Sequence, residues 1–82
     1  MTETQDVIDV IKDILDDPSL QKNIKQKLER VMQELSTSDK KNIRLKVDKC
    51  INDLEEVTND ANIQSFVRTQ VWGVVSMLES LD

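Results

Sequence analysis

Apolar residues recur at intervals of three and four through most of the 82-residue chain, and the pattern is interrupted only at short polar stretches. Val7, Ile8, Ile11, Ile14 and Leu15 fall on one side of a helix whose other side carries Asp6, Asp9, Asp13 and Asp16, which predicts a first helix over about residues 4–16. Asp17-Pro18 stops it, because the residue before a proline is pushed out of the α region, and the same pair is suited to open a second helix as N-cap and first helical residue. Leu20, Ile24, Leu28, Val31, Met32 and Leu35 mark that second helix, with Lys22, Lys25, Gln26, Glu29 and Arg30 outward and an end near Ser36. Ser36-Thr37-Ser38-Asp39 is a run of residues that satisfy free helix N–H groups, so a third helix is predicted from about Ser38, turning Ile43, Val47, Cys50, Ile51, Leu54 and Val57 inward. Asn59-Asp60-Ala61-Asn62 breaks the pattern again. A fourth helix then carries Ile63, Val67, Val71, Val74, Val75, Leu78 and Leu81 to the core.

The two halves match at an offset of 43 residues. Val7, Ile8, Ile11 and Ile14 fall on Cys50, Ile51, Leu54 and Val57; Asp17, Leu20, Gln21 and Ile24 fall on Asp60, Ile63, Gln64 and Val67. Lys25, Leu28, Val31, Met32 and Leu35 fall on Arg68, Val71, Val74, Val75 and Leu78. Matching apolar positions could come from any two helical hairpins, but a matching turn Asp and a matching Gln point to a duplicated hairpin. A period near 43 also suits an α-solenoid. Two repeats are too few for a solenoid to bury its faces, whereas two hairpins can close one core with short connections. The expected fold is an all-α, antiparallel four-helix bundle forming a single domain over residues 1–82, with one hairpin at about 4–36 and the other at about 38–81.

Composition agrees with helices: a third of the residues are charged, with one Gly and one Pro. The longest apolar stretch, around Val71 to Val75, is interrupted by Gly73 and is far short of the roughly 20 residues that span a bilayer. Glu3 and Asp6 stand where a signal peptide needs basic residues, so a cytoplasmic protein with no membrane partner is expected. The single cysteine, Cys50, can form neither an internal disulfide nor a Cys-based zinc site, and its place in the apolar pattern makes it a small core residue.

Histidine is absent, which removes the commonest general acid/base and metal ligand together with Ser-His and Cys-His nucleophile pairs. No Gly-rich loop exists to cradle a phosphate. The stripe Asp6, Asp9, Asp13 and Asp16 and the group Asp53, Glu55 and Glu56 read as solvated helix faces rather than a cation site. No catalytic, cofactor-binding or metal-binding residue is assigned, and neither enzyme activity nor a small-molecule substrate is expected.

Two surfaces remain. Although the net charge is −5, residues 22–49 hold nine basic and four acidic side chains, while the segments on either side hold six acidic and one basic each. Lys25, Arg30, Lys40, Lys41 and Arg44 could therefore line a nucleic-acid contact on helices 2 and 3; the plainer alternative pairs these cations with the acidic edges of helices 1 and 4. The other surface is on helix 4. At 100° per residue its core arc leaves Trp72 on the far side, between Arg68 and Ser76, with Ser65, Thr69 and Glu79 around it. Trp and Arg within a strip of small polar residues suit a protein contact, either with another protein or in a homo-oligomer, and Gly73 would allow close approach. The alternative is a Trp72 buried under a loop, with Arg68 covering it in a cation–π contact.

The turns Leu15-Asp16-Asp17-Pro18 and Asn59-Asp60, and above all the run from Arg68 to Ser80 (Arg-Thr-Gln-Val-Trp-Gly-Val-Val-Ser-Met-Leu-Glu-Ser), resemble those of the small archaeal uncharacterised protein family 0147. The similarity covers nearly the whole chain. It implies a short, all-helical, bundle-forming protein and carries no assigned activity, hence no catalytic residues.

Overall fold

The structure, a computed structural model, describes residues 3–37 and 41–81. Four helices follow in order: α1 (Thr4–Leu15), α2 (Lys22–Ser36), α3 (Ile43–Thr58) and α4 (Ser65–Glu79). They pack as a ring in which α1 touches α2 and α4, and α3 touches α2 and α4, giving an antiparallel bundle 35 × 20 × 19 Å in extent. None of the helices is long and apolar enough to cross a membrane, among the described residues.

The duplication is visible in the core. Among the described residues, those with no solvent exposure are Val7, Ile11, Leu28 and Val31 and their counterparts 43 residues on, Cys50, Leu54, Val71 and Val74. Side chains this fully buried occupy equivalent places in both hairpins, so each apolar face is completed by the other copy.

The turns repeat as well. Asp17 and Asp60 each accept the backbone N–H three residues on at 3.2 Å, from Leu20 and from Ile63. Their Oδ1 atoms accept the N–H two residues on, from Ser19 at 2.9 Å and from Asn62 at 2.8 Å. The Ser19 hydroxyl also donates to Asp17 Oδ1 at 2.7 Å, and these bonds hold the Asp17 carboxyl below its ordinary pKa. The expected role of Asp17-Pro18 as N-cap and first residue of α2 is thereby corrected. Pro18 takes the second position of a β-turn, which its fixed φ favours, and the helix opens four residues later. Gln21 and Gln64 are the N-caps, with φ/ψ of −66/147° and −70/145°.

Both turns lie at one end of the bundle and bond across it. Gln21 Nε2 donates to the Asn62 carbonyl at 3.5 Å, and Asn23 Nδ2 to Asp60 Oδ2 at 3.1 Å. Ser19, Leu20, Gln21 and Ile24 line a small cleft there with Asn62, Ile63, Gln64 and Val67, their counterparts at the same offset. A pseudo-two-fold axis therefore enters the bundle at this end.

The start of α3 differs from expectation. Lys41 and Asn42 form a turn and the helix opens at Ile43, while Ser38, Asp39 and Lys40 lie outside the described residues. Ser36 and Thr37, expected to serve the N-terminus of α3, face backward instead. The Ser36 hydroxyl donates to the Met32 carbonyl at 2.9 Å, and that of Thr37 to the Gln33 and Glu34 carbonyls at 3.2 Å each. A hydroxyl can donate as well as accept, so the same residues satisfy carbonyls at the end of α2.

Candidate functional site

Ser65, Arg68, Thr69, Trp72, Ser76 and Glu79 share one side of α4 because their spacings of three, four and seven return to the same line of the helix. Trp72 is 48% exposed on that line, and its counterpart in the first hairpin is Glu29. Thr69 is bonded locally, its hydroxyl donating to the Ser65 carbonyl at 3.1 Å. Ser76 is exposed, and its carbonyl accepts the Ser80 hydroxyl at 3.0 Å.

Arg68 is bound to the bundle rather than free. Its Nε donates at 3.1 Å to the carbonyl of Thr58, the last residue of α3, a group that has no partner within its own helix. The positive head stands at the negative end of the α3 dipole, which strengthens the contact. Thr58 itself is buried, with its hydroxyl donating to the Glu55 carbonyl at 2.8 Å. Apart from Gly73's own helix, none of the described residues comes within 4 Å of the place where a Cβ would sit, so no packing among them uses the close approach that glycine permits.

Beyond Trp72 on the same side, an open groove of about 440 Å³ lies between the start of α3 and the end of α4. Ile43, Val47, Leu78 and Leu81 give it apolar walls, and Arg44, Asp48 and Glu79 give it a charged rim. The two hairpins differ here: the first residue of α1, Thr4, corresponds to Val47, so the opening turn of α3 from Ile43 has no helical counterpart in α1. Sequence periodicity assigned Ile43, Val47 and Leu81 to the core; all three are half-buried. Leu45 and Phe66, 73% and 70% exposed, were not singled out by periodicity.

The basic candidates do not gather on one side. Arg30 lies on the flank of α2 that carries Lys27 and Glu34, whereas Lys25 is five residues away, about 140° around the helix. Lys41 is exposed in the turn before α3, Arg44 is on the groove rim, and Lys40 lies outside the described residues. Two other cations of the basic segment pair between α2 and α3 and not with the acidic edges of α1 and α4. Lys27 Nζ is 3.7 Å from Glu56 and Lys49 Nζ is 3.3 Å from Glu34, both between α2 and α3. Lys46 Nζ donates to the Thr37 hydroxyl at 3.0 Å.

Cys50 is buried with Sγ 3.9 Å from the Val31 carbonyl. Burial, and after it the charges of Glu34 and Asp53, push its thiol up to about 11, so the nucleophilic thiolate is suppressed at neutral pH. No group of three or more potential metal-ligating His, Cys, Asp or Glu side chains occurs among the described residues.

Fold and surface together define a small four-helix protein made of two unequal copies of a hairpin, with an aromatic side chain and an open groove on the second copy. The uncharacterised protein family UPF0147 matches residues 2–81, and the chain belongs to that family. A UPF0147 protein of Methanothermobacter thermautotrophicus is 32% identical over 75 residues, covering 92% of this chain and 72% of the relative. One of Archaeoglobus fulgidus is 26% identical over 77 residues, covering 94% and 86% respectively. The fold is similar to a crystal structure described as that of the unknown function protein MMP1188. The TM-score is 0.85 at 24% identity, over 96% of this chain and 89% of that one.

Proposed function

We infer that this protein is a non-catalytic interaction module, acting in the cytoplasm, whose contact surface is the α3/α4 side centred on Trp72. The observation that carries the reading is the large aromatic, 48% exposed, beside an apolar groove with a mixed-charge rim. Tryptophan supplies much of the binding energy where it anchors an interface, and apolar ground ringed by charges is the usual anatomy of such a surface. Arg68, expected as a second anchor, instead fixes the end of α3 against α4 and so sets the platform on which Trp72 stands. A non-catalytic role agrees with the lack of histidine and with a thiol held protonated in the core. A cytoplasmic setting agrees with a single cysteine kept as a buried thiol.

The test is an affinity capture from native lysate with wild type and Trp72→Ala, each with and without nuclease. Capture that survives nuclease and disappears with Trp72→Ala is the expected result. Equal capture by both proteins overturns the reading, and capture abolished by nuclease replaces it with a nucleic-acid role.

A further inference from the structure

Trp72 and the groove rim lie on one line of α4. The seven residues from Trp72 to Glu79 are two turns, about 10.5 Å along the axis with almost no rotation. A projecting ring and an open apolar recess side by side on one face are the two halves of a self-complementary contact. A two-fold axis between them sets each projection over the recess of the other copy.

We propose that the chain forms a two-fold homodimer through its α3/α4 side, with Trp72 of each copy seated in the groove between Ile43, Val47, Leu78 and Leu81 of the other. This deepens the preceding reading and rests on it. At about 440 Å³ the groove falls within the range of sites that enclose a ring-sized group. Its rim is chemically matched to an indole. A buried Nε1–H requires an acceptor, and the carboxylates of Asp48 and Glu79 are both at the rim, while the Arg44 guanidinium can lie against the ring face.

The axis falls midway between Trp72 and Glu79, at the exposed and small Ser76, where two antiparallel α4 helices can approach closely. With the axis at Ser76, three residues from the end of α4, each copy meets the other over the last turns of that helix and the opening of α3, less than half of the 35 Å bundle, so the contact is smaller than the about 800 Å² per partner of a standard interface and belongs to the weak class. The contact also explains why the two hairpins differ where they do. Trp72 in place of Glu29 and the extra turn at Ile43 are the projection and the recess.

The test uses the full chain at concentrations up to about 1 mM, the weak end of measurable affinities. Mass is followed by sedimentation and burial by fluorescence, since Trp72 is the only tryptophan and the chain has no tyrosine. Mass should double as concentration rises while the emission shifts to the blue along the same curve. Trp72→Ala should weaken the dimer roughly 30-fold or more. Ser76→Glu and Ser76→Lys place like charges across the axis and should each weaken it at least about tenfold, while an equimolar mixture of the two restores the dimer.

A monomer at every concentration overturns the dimer and leaves Trp72-dependent capture of a different protein standing. A dimer that survives Trp72→Ala, or charge variants that do not rescue one another, overturns the geometry proposed. A Trp72→Ala protein indistinguishable from wild type in mass and in capture removes both readings.

Discussion

Arg68 and Lys25 occupy the same position of the two hairpins, yet only Arg68 bonds to the end of the preceding helix, at Thr58. The donor is partly buried and charged, and its loss leaves a carbonyl at a helix end without its partner. Arg68→Met should therefore cost about 1.5–3 kcal/mol in urea unfolding, whereas Lys25→Met, on an exposed side chain, should change stability by no more than about 0.5 kcal/mol. Equal effects would remove the role given to the Thr58 contact. The sequence pattern placed Arg68 on the strip around Trp72 but did not reveal its partner. A long flexible side chain can turn to solvent or to a neighbouring helix, and the choice depended on where α3 ends. Trp72, fixed only by helical periodicity, was placed on the outer side from spacing alone.

At the scale of helices, legibility follows the source of each signal. α2 and α4 run from Lys22 to Ser36 and from Ser65 to Glu79, the same bounds shifted by 43 residues, because the repeat carries their turn chemistry with it. The start of α3 was misjudged since Ser36 and Thr37 could cap either neighbouring helix, and their hydroxyls bond to α2. Gly73 tests the cost of an imperfect helix. It lies inside α4 without a positive φ, none of the described residues outside its own helix stands where a Cβ would be, and its counterpart in α2 is Arg30, a full side chain. Gly73→Ala should stabilise the protein by about 0.5–1 kcal/mol, raising Tm by several degrees in thermal unfolding followed by circular dichroism. A lower Tm would mean that the backbone at Gly73 is needed as it stands.

The whole molecule is held by a core shared equally between its halves, and its size sets how much loss it can withstand. At 0.05–0.15 kcal/mol per residue, 82 residues hold about 4–12 kcal/mol against unfolding. Leu28, with no exposure, touches the shared core, and Leu28→Ala should cost about 3–5 kcal/mol by leaving a cavity where both hairpins meet. The same truncation at its counterpart, Val71→Ala, removes less side chain and should cost less. Trp72→Ala, at a half-exposed site outside the shared core, should change stability by no more than about 1 kcal/mol. Calorimetry of the three variants checks the order, with Leu28→Ala lowering Tm by tens of degrees and Trp72→Ala by a few. A large loss at Trp72 would make it part of what holds the monomer together, and would move its explanation from contact to folding. A small one leaves the second hairpin's largest side chain without a structural reason inside the chain, and binding is then the property that accounts for it.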